Sequence, residues 1–361
     1  MRKLGKLVFV AFVNISILLS LLVLLELFYR IYLDGFTAAI AKFFEYPAVP
    51  YSNLGTSNLI IYDEELGYRL NPNRENINSL SIRHHEISTP KPEQLFRIVF
   101  LGDSIPWDRS GFVSQLQSRL DTRGSYEVIN ASVPGYTSYQ ELRFFERYVS
   151  KTDPDLVIWT YCLNDNHKFL HRFDERAQML WTREAEESLR NSPGDKIISR
   201  SYLLNSLRLR FAAVTRQVVE KSSRYPWEGA IDFNIAWKDY SWNSYEQHLK
   251  KMVRMLRERG VPLTIIIFPY EPQLDYRNAT DDYAYVVKPQ RILVSLCKKY
   301  QVPCLDLLPP FSEWYDQGKK LFRDRIHLND TGHRVTTAMI EQFLINNRLL
   351  ERDRLRAAVA R

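Results

Sequence analysis

Two short stretches, far apart in the chain, hold side chains that can act together as a nucleophile and its base. The tripeptide Gly-Asp-Ser that ends at Ser104 follows the apolar run 95–101, which is typical of a buried strand. Further on, His327 comes three residues after Asp324. A serine on a strand-to-loop turn lies at the carboxyl edge of a sheet, where α/β folds place their active sites. Serine, histidine and aspartate together predict a hydrolase with a serine nucleophile.

Alternating apolar and amphipathic segments predict the elements that position these residues. Strands are predicted at Leu95–Leu101, Tyr126–Ala131, Leu156–Tyr161, Leu263–Phe268 and Pro303–Leu307. Helices are predicted near 110–121, 138–150, 244–259, 288–300 and 330–346. We expect Ser110 to cap the first helix and Gly260 to end the third. This alternation predicts a three-layer α/β/α sandwich with a parallel sheet covered on both faces.

Residues 95–346 resemble the SGNH, or GDSL, hydrolase family. Its blocks occur here in the family's order, namely the nucleophile block ending at Ser104, a glycine block at 130–138, an asparagine block at 163–165 and a last block at 324–327. Each block alone is weak evidence for the family, but each follows a predicted strand or precedes a predicted helix. The resemblance implies a flavodoxin-like strand order and a serine esterase without metal or cofactor.

The resemblance also implies roles for five residues. Ser104 would be the nucleophile, His327 the general base that returns the proton to the leaving alcohol, and Asp324 the carboxylate that orients it. Gly135 and Asn164 would form an oxyanion hole with the amide of Ser104. Other interpretations stay open, because Gly135 follows a proline and suits a type II turn, and Asn164 also suits a turn.

Two positions depart from the family pattern. Cys162 stands where the family usually has a glycine, two residues before the block asparagine. Trp107 follows the nucleophile, where many relatives have a smaller turn, and is expected to narrow the acyl pocket. Neither change removes a catalytic group, so both bear on specificity.

Composition limits the partners and ligands that we expect. The net charge of +7 and the pI of about 9.1 form no single basic stripe, and no nucleic-acid module is recognisable. Three cysteines are too few for a disulfide scaffold, although Cys297 and Cys304 can either pair or remain free thiols. His167 and His171 have helical metal-ligand spacing but no evident third ligand, and the other histidines outside the last block have no evident partner. We therefore predict no metal, no cofactor and no nucleic-acid partner.

The amino terminus predicts a single membrane span. An uncharged run from Leu7 to Leu25 is long enough to cross a bilayer as a helix. Cations precede this run, which places the amino terminus in the cytoplasm and the rest outside. Without a small-x-small cleavage site close behind it, an uncleaved anchor is favoured over a removed signal peptide, and a buried soluble helix is the weaker alternative.

These features divide the chain into four parts. Residues 1–33 form the cytoplasmic terminus and anchor, and 34–92 a lead-in segment packed on the main domain. Residues 93–346 form the hydrolase domain, with an aromatic-rich insertion at about 166–243. The aromatic residues of the insertion predict a satellite core, or alternatively a lid or a wall on which sugars stack. The basic tail, 347–361, is either a solvated helix end or a helix that lies on anionic lipid.

Together these observations predict a membrane-anchored serine esterase. Its substrate would be an acyl ester, O-acetyl groups included, on an extracytoplasmic glycan or a lipid. The alternatives are an O-acyltransferase that acts on a polysaccharide and a non-catalytic binding or assembly protein with the same fold. The sequence does not indicate an oligomeric state.

Overall fold

The described part of the chain forms two compact units. The computed structural model describes residues 2–41, 59–174, 179–182, 201, 203–204, 207, 223–276 and 282–351. One unit comprises Met1–Thr56 and Asp174–Val219, and the other comprises Ser57–Phe173 and Glu220–Arg361. Much of the predicted insertion, and residues 352–361 of the basic tail, lie outside the described residues.

Two helices, α1 (Arg2–Asp34) and α2 (Phe36–Ala41), belong to the first unit. Within α1 the segment Phe12–Tyr32 has a mean hydropathy of 2.2, and its large apolar side chains are mostly exposed. A helix of this length with an exposed apolar surface is either a signal sequence or a membrane anchor. Near its end Glu26 pairs with Arg30 at 2.7 Å and accepts a hydrogen bond from the Ser201 hydroxyl at 2.6 Å. These contacts offset the charge of the carboxylate.

The strands are short. They are β1 (Ile60–Asp63), β2 (Gly67–Leu70), β3 (Phe96–Leu101), β4 (Tyr126–Asn130), β5 (Leu156–Tyr161), β6 (His171–Asp174), β7 (Met179–Thr182), β8 (Leu263–Ile267) and β9 (Cys304–Asp306). A five-stranded sheet has the order β4-β3-β5-β8-β9, and all of its neighbours are parallel. This is the flavodoxin-like order. Strands β3, β5 and β8 are buried along their whole length, which is why their residues are predominantly apolar.

Helices cover both faces of this sheet. They are α3 (Phe112–Leu120), α4 (Ser138–Arg147), α5 (Ile231–Asn234), α6 (Asp239–Glu258), α7 (Glu271–Tyr276), α8 (Tyr283–Val286), α9 (Lys288–Tyr300), α10 (Leu308–Asp316) and α11 (Asp330–Asn346). Helix α3 packs against α11, whereas α4 and α9 pack against α6. Right-handed crossovers place these two groups on opposite faces. The predicted α/β/α sandwich is therefore confirmed.

The helix ends show where local signals compete. Helix α3 is capped by Gly111 and not by Ser110, so that prediction is wrong. The amide and hydroxyl of Ser110 instead donate to the Asp108 carboxylate, at 3.1 and 3.2 Å, in an Asx turn. Gly260, with a φ of +71°, follows α6 as expected.

The described aromatic residues of the insertion form a second small core. Trp227 stacks between Tyr225 and Trp237, with ring centroids 4.9 and 4.8 Å away, and all three are buried. Tyr240, by contrast, is 69% exposed. These three rings therefore pack as a satellite core, whereas Phe233 packs on Tyr270 and Trp242 on Tyr161.

Candidate active site

The loop that carries Ser104 packs closely against the neighbouring strand. Gly102 directly follows β3, and a Cβ atom at this position would lie 1.9 Å from the Thr160 hydroxyl oxygen on β5. That hydroxyl donates to the carbonyl of Leu101 at 2.8 Å. Only glycine permits this approach, so the first residue of the block sets the path of the chain into Ser104.

The loop after α10 brings the histidine to the serine. His327 Nε2 lies 2.9 Å from Ser104 Oγ, and His327 Nδ1 lies 2.8 Å from Asp324 Oδ2. The other oxygen of Asp324 accepts the amides of Ile326 and His327 at 2.9 and 2.8 Å. The three-residue spacing thus lets one turn orient both side chains.

This turn keeps Asp324 ionised. Partial burial alone would raise its pKa, but the hydrogen bonds from the His327 ring and the two amides hold the pKa well below its usual range. A charged carboxylate on Nδ1 favours the tautomer with its proton on that nitrogen. Nε2 is then free to accept a proton from the Ser104 hydroxyl.

Asn164 lies on the other side of the nucleophile loop, in the 3-10 turn Leu163–Asn166 that follows β5. Its Nδ2 donates to Asp103 Oδ2 at 3.0 Å, and the amide of Ile105 donates to Asp103 Oδ1 at 2.9 Å. Asp103 therefore ties the nucleophile loop to the asparagine block. A carboxamide nitrogen carries two hydrogens, so the bond to Asp103 uses only one of them.

Gly135 forms the predicted turn. The amide of Tyr136 donates to the carbonyl of Val133 at 3.1 Å, and Gly135 has a φ of +78°. A Cβ atom here would lie 2.3 Å from the His171 ring and 2.9 Å from the Tyr68 hydroxyl. Both the backbone conformation and the lack of space require glycine, whatever its amide does in catalysis.

The lead-in segment holds this turn in place, a role that the sequence did not reveal. The Tyr68 hydroxyl donates to the carbonyl of Pro134 at 2.8 Å, and the Tyr136 hydroxyl donates to the carbonyl of Tyr68 at 2.6 Å. Burial raises the pKa of Tyr68 well above its ordinary value, so its hydroxyl stays a donor. Its only sequence signal is a tyrosine in the ordered-looking stretch 66–73.

Three buried acids lie behind the two loops. Burial raises the pKa of Asp103, Glu141 and Asp165, and their mutual repulsion raises the pKa of the last two further. The amide of Cys162, the departure from the family's glycine, donates to Asp165 Oδ2 at 2.9 Å. This cysteine therefore helps to hold the asparagine block in place.

His167, His171 and His333 have structural contacts. His167 caps a 3-10 turn and His171 begins β6, so they do not share a helix and the helical spacing was misleading. Burial lowers the pKa of His171 to about 4, which leaves a neutral ring against Gly135. His333 Nδ1 accepts the amide of Phe112 at 3.3 Å and so fixes the start of α3. All three cysteines are free thiols.

The fold and this geometry define a class, a hydrolase with a flavodoxin-like α/β/α fold and a serine–histidine–aspartate arrangement at the carboxyl edge of its parallel sheet. A family model described as the GDSL-like Lipase/Acylhydrolase family matches residues 100–335. The chain therefore belongs to this family of serine hydrolases, which act on ester bonds.

Several solved structures are similar to this chain. An acetyl xylan esterase is 16% identical, with a TM-score of 0.43, over 68% of this chain and 98% of its own. A catalytic mutant of an acetylxylan esterase from Geobacillus stearothermophilus is 14% identical, with a TM-score of 0.42, over 69% and 94% of the two chains. A lipase/acylhydrolase from Enterococcus faecalis is 14% identical, with a TM-score of 0.38, over 70% and 96%. No curated protein matches the sequence.

The amide of Asn164 is open to a direct test. Replacing Asn164 with alanine is expected to lower kcat by about 10²–10³-fold, because one donor to the oxyanion is lost. Ester hydrolysis under saturating substrate measures this loss. Asn166→Ala is the matched control, since Asn166 is a buried amide of the same turn that bonds Tyr161 and Ser241 instead. An equal loss of kcat in both variants would show that the turn, and not the donor, matters.

Proposed function

We propose that this protein is a serine esterase in which Ser104 is the nucleophile, His327 the general base and acid, and Asp324 the carboxylate that orients the ring. The observation that carries this proposal is the unbroken line of contacts from Asp324 through His327 to Ser104 Oγ. Both contacts are within hydrogen-bonding distance before any substrate binds. The family membership of residues 100–335 supports it independently.

The reaction follows from these positions. Ser104 Oγ attacks the ester carbonyl carbon while His327 Nε2 takes the hydroxyl proton, and the carbonyl oxygen becomes an oxyanion. The second hydrogen of the Asn164 amide and the amides of Ser104 and Gly135 stabilise that oxyanion. The intermediate collapses, the alcohol leaves with the proton from His327, and an acyl-enzyme remains. Water then attacks the acyl-enzyme with its proton passing to His327, and the acid leaves as Ser104 recovers its proton.

We infer that the ester is carried by a polymer outside the cytoplasm, with O-acetyl groups on a glycan as the first class to test. Exposure of the site supports this substrate, because the side chains of His327 and Asp324 are 26% and 50% exposed. A polymer-borne ester can reach such a surface site without threading into a closed cavity. A long lipid acyl chain would instead need an apolar channel to be removed from water.

The proposal is tested by fluorophosphonate labelling, followed by acetate release from a panel of acetylated polysaccharides. Labelling and acetate release by the intact protein, and neither by Ser104→Ala, would support an esterase. Acyl groups that appear on an added acceptor sugar, in place of free acetate, would show an O-acyltransferase that uses the same nucleophile. If the intact protein neither labels nor hydrolyses any ester, the esterase proposal is overturned in favour of a binding or assembly role.

We further propose that α1 remains in the mature protein as a membrane anchor, with the catalytic unit outside the cytoplasm. The expected result is a membrane-bound chain that resists carbonate extraction and keeps its first residues by mass spectrometry. Deletion of residues 1–33 is expected to release the protein into the soluble fraction. A mature chain that begins beyond Leu25 would show a signal peptide, and a deletion variant that stays on membranes would locate the attachment elsewhere.

A further inference from the structure

A second group of chemistry-bearing side chains lies in the same unit as the triad. His84 and His85 belong to the lead-in segment, and Glu127 is the second residue of β4. One ligand atom from each of the three lies within 4.8 Å of the other two. Imidazole nitrogens and carboxylate oxygens are the usual ligands of zinc, together with thiolates.

We propose that His84, His85 and Glu127 bind a divalent transition-metal ion of the zinc class. His85 Nε2 lies 3.5 Å from Glu127 Oε1. Two ligands at roughly 2.1 Å from a tetrahedral zinc ion are separated by about 3.4 Å. A direct charge-assisted hydrogen bond between the same atoms would be shorter, at about 2.7–2.9 Å. The spacing therefore suits a shared cation better than a direct ion pair.

The groups around the cluster orient the ligands as metal sites require. His84 Nδ1 lies 3.2 Å from the carbonyl of His85, which leaves His84 Nε2 for the metal. Arg97 Nε donates to Glu127 Oε2, and the Arg97 side chain is 1% exposed. A buried guanidinium on one carboxylate oxygen fixes the other toward the histidines.

The site is also open to an ion and to water. A cavity of about 720 Å³ is lined by all three ligands, together with Asn76, Arg83 and Asp121 among others. The side chain of His85 is 72% exposed, so a water molecule can complete the coordination.

A metal here would join the lead-in segment to the central sheet. Glu127 pairs in register with Arg97 on β3, the strand that leads to Ser104. The ion would therefore support the position of the lead-in without touching the reacting atoms. This proposal departs from our sequence-based expectation of no metal, since only the fold brings Glu127 to the two histidines.

The test is Zn²⁺ binding by the full-length, tag-free protein in detergent, measured by competition with a chromogenic chelator. The expected result is one tightly bound zinc ion per chain. His85→Ala and Glu127→Gln are each expected to weaken binding by at least about 100-fold, since the loss of an outer-shell partner alone costs about 10–100-fold. His248→Ala is the matched control, because His248 contacts the Ser138 hydroxyl and lies outside the cluster.

The Glu127→Gln variant can disturb the fold through Arg97. The His85→Ala variant still tests the proposal, because the His85 side chain is largely exposed and its removal is not expected to affect folding. Absence of tight zinc binding by the wild-type protein would overturn the proposal. So would zinc binding that is unchanged in His85→Ala, because a plain ion pair between His85 and Glu127 predicts either result.

Discussion

Replacing Ser104 with alanine is expected to lower kcat for ester hydrolysis by about 10⁶-fold, to the background of an enzyme without a nucleophile. The acyl-enzyme cannot form without Oγ, and the remaining groups only bind the ester and polarise its carbonyl. The hydroxyl contacts His327 at 2.9 Å, so its removal opens no large cavity and thermal unfolding is expected to change little. Single-turnover and steady-state kinetics on one activated acyl ester measure the loss.

Ser110→Ala is the matched control for this variant. Ser110 lies on the same loop, and its exposed hydroxyl contacts the Asp108 carboxylate at 3.2 Å. This control is expected to keep the wild-type kcat and to label fully with a fluorophosphonate. Wild-type turnover by Ser104→Ala would place the nucleophile elsewhere and remove the basis of the proposed mechanism.

Replacing Asp324 with asparagine is expected to lower kcat by about 10⁴-fold while the fold is retained. The amides of Ile326 and His327 both donate to Asp324 Oδ1, so an asparagine must place its oxygen there. Its NH₂ group then faces His327 Nδ1 and donates to it. The proton of the imidazole moves to Nε2, which can no longer accept the proton of Ser104.

The same variant tests the charge of Asp324 through stability. The pKa of this carboxyl is lower in the folded chain than in the unfolded one, because of its hydrogen bonds to the His327 ring and the two amides. Its contribution to stability is therefore present above the unfolded pKa of about 3.9 and is lost as pH falls towards the folded value. We expect the wild type to unfold at a higher temperature than Asp324→Asn at pH 7, with the gap narrowing below about pH 4. A gap that is constant with pH would contradict a depressed pKa.

Sequence patterns predicted the sheet well because its central strands are buried on both faces. The run Leu156–Tyr161 was predicted to the residue, since a strand without a solvent face lacks the alternating polar residues that obscure where a strand begins and ends. The start of α3 was misplaced by one residue. There Ser110 donates to the Asp108 carboxylate instead of capping the helix, because a local Asx turn competes with helix capping.

Residues that act together within a single turn could be identified from the amino-acid sequence alone. Asp324 and His327 are three residues apart, so backbone geometry by itself can bring the carboxylate to the ring. Gly135 follows a proline, and a turn with a positive φ accounts for the pair. In each case the interacting atoms are joined by a short stretch of chain with few conformations.

Tertiary structure decided every contact between the blocks. The amino-acid sequence determined which side chains are present and how each turn presents them, but Ser104 and His327 are 223 residues apart. The order of the parallel strands brings them to one edge of the sheet and places Asp103 against Asn164, whereas Tyr68 contacts Pro134 from β2, which lies outside this sheet. Such contacts depend on the packing of the whole sheet, which no local spacing encodes.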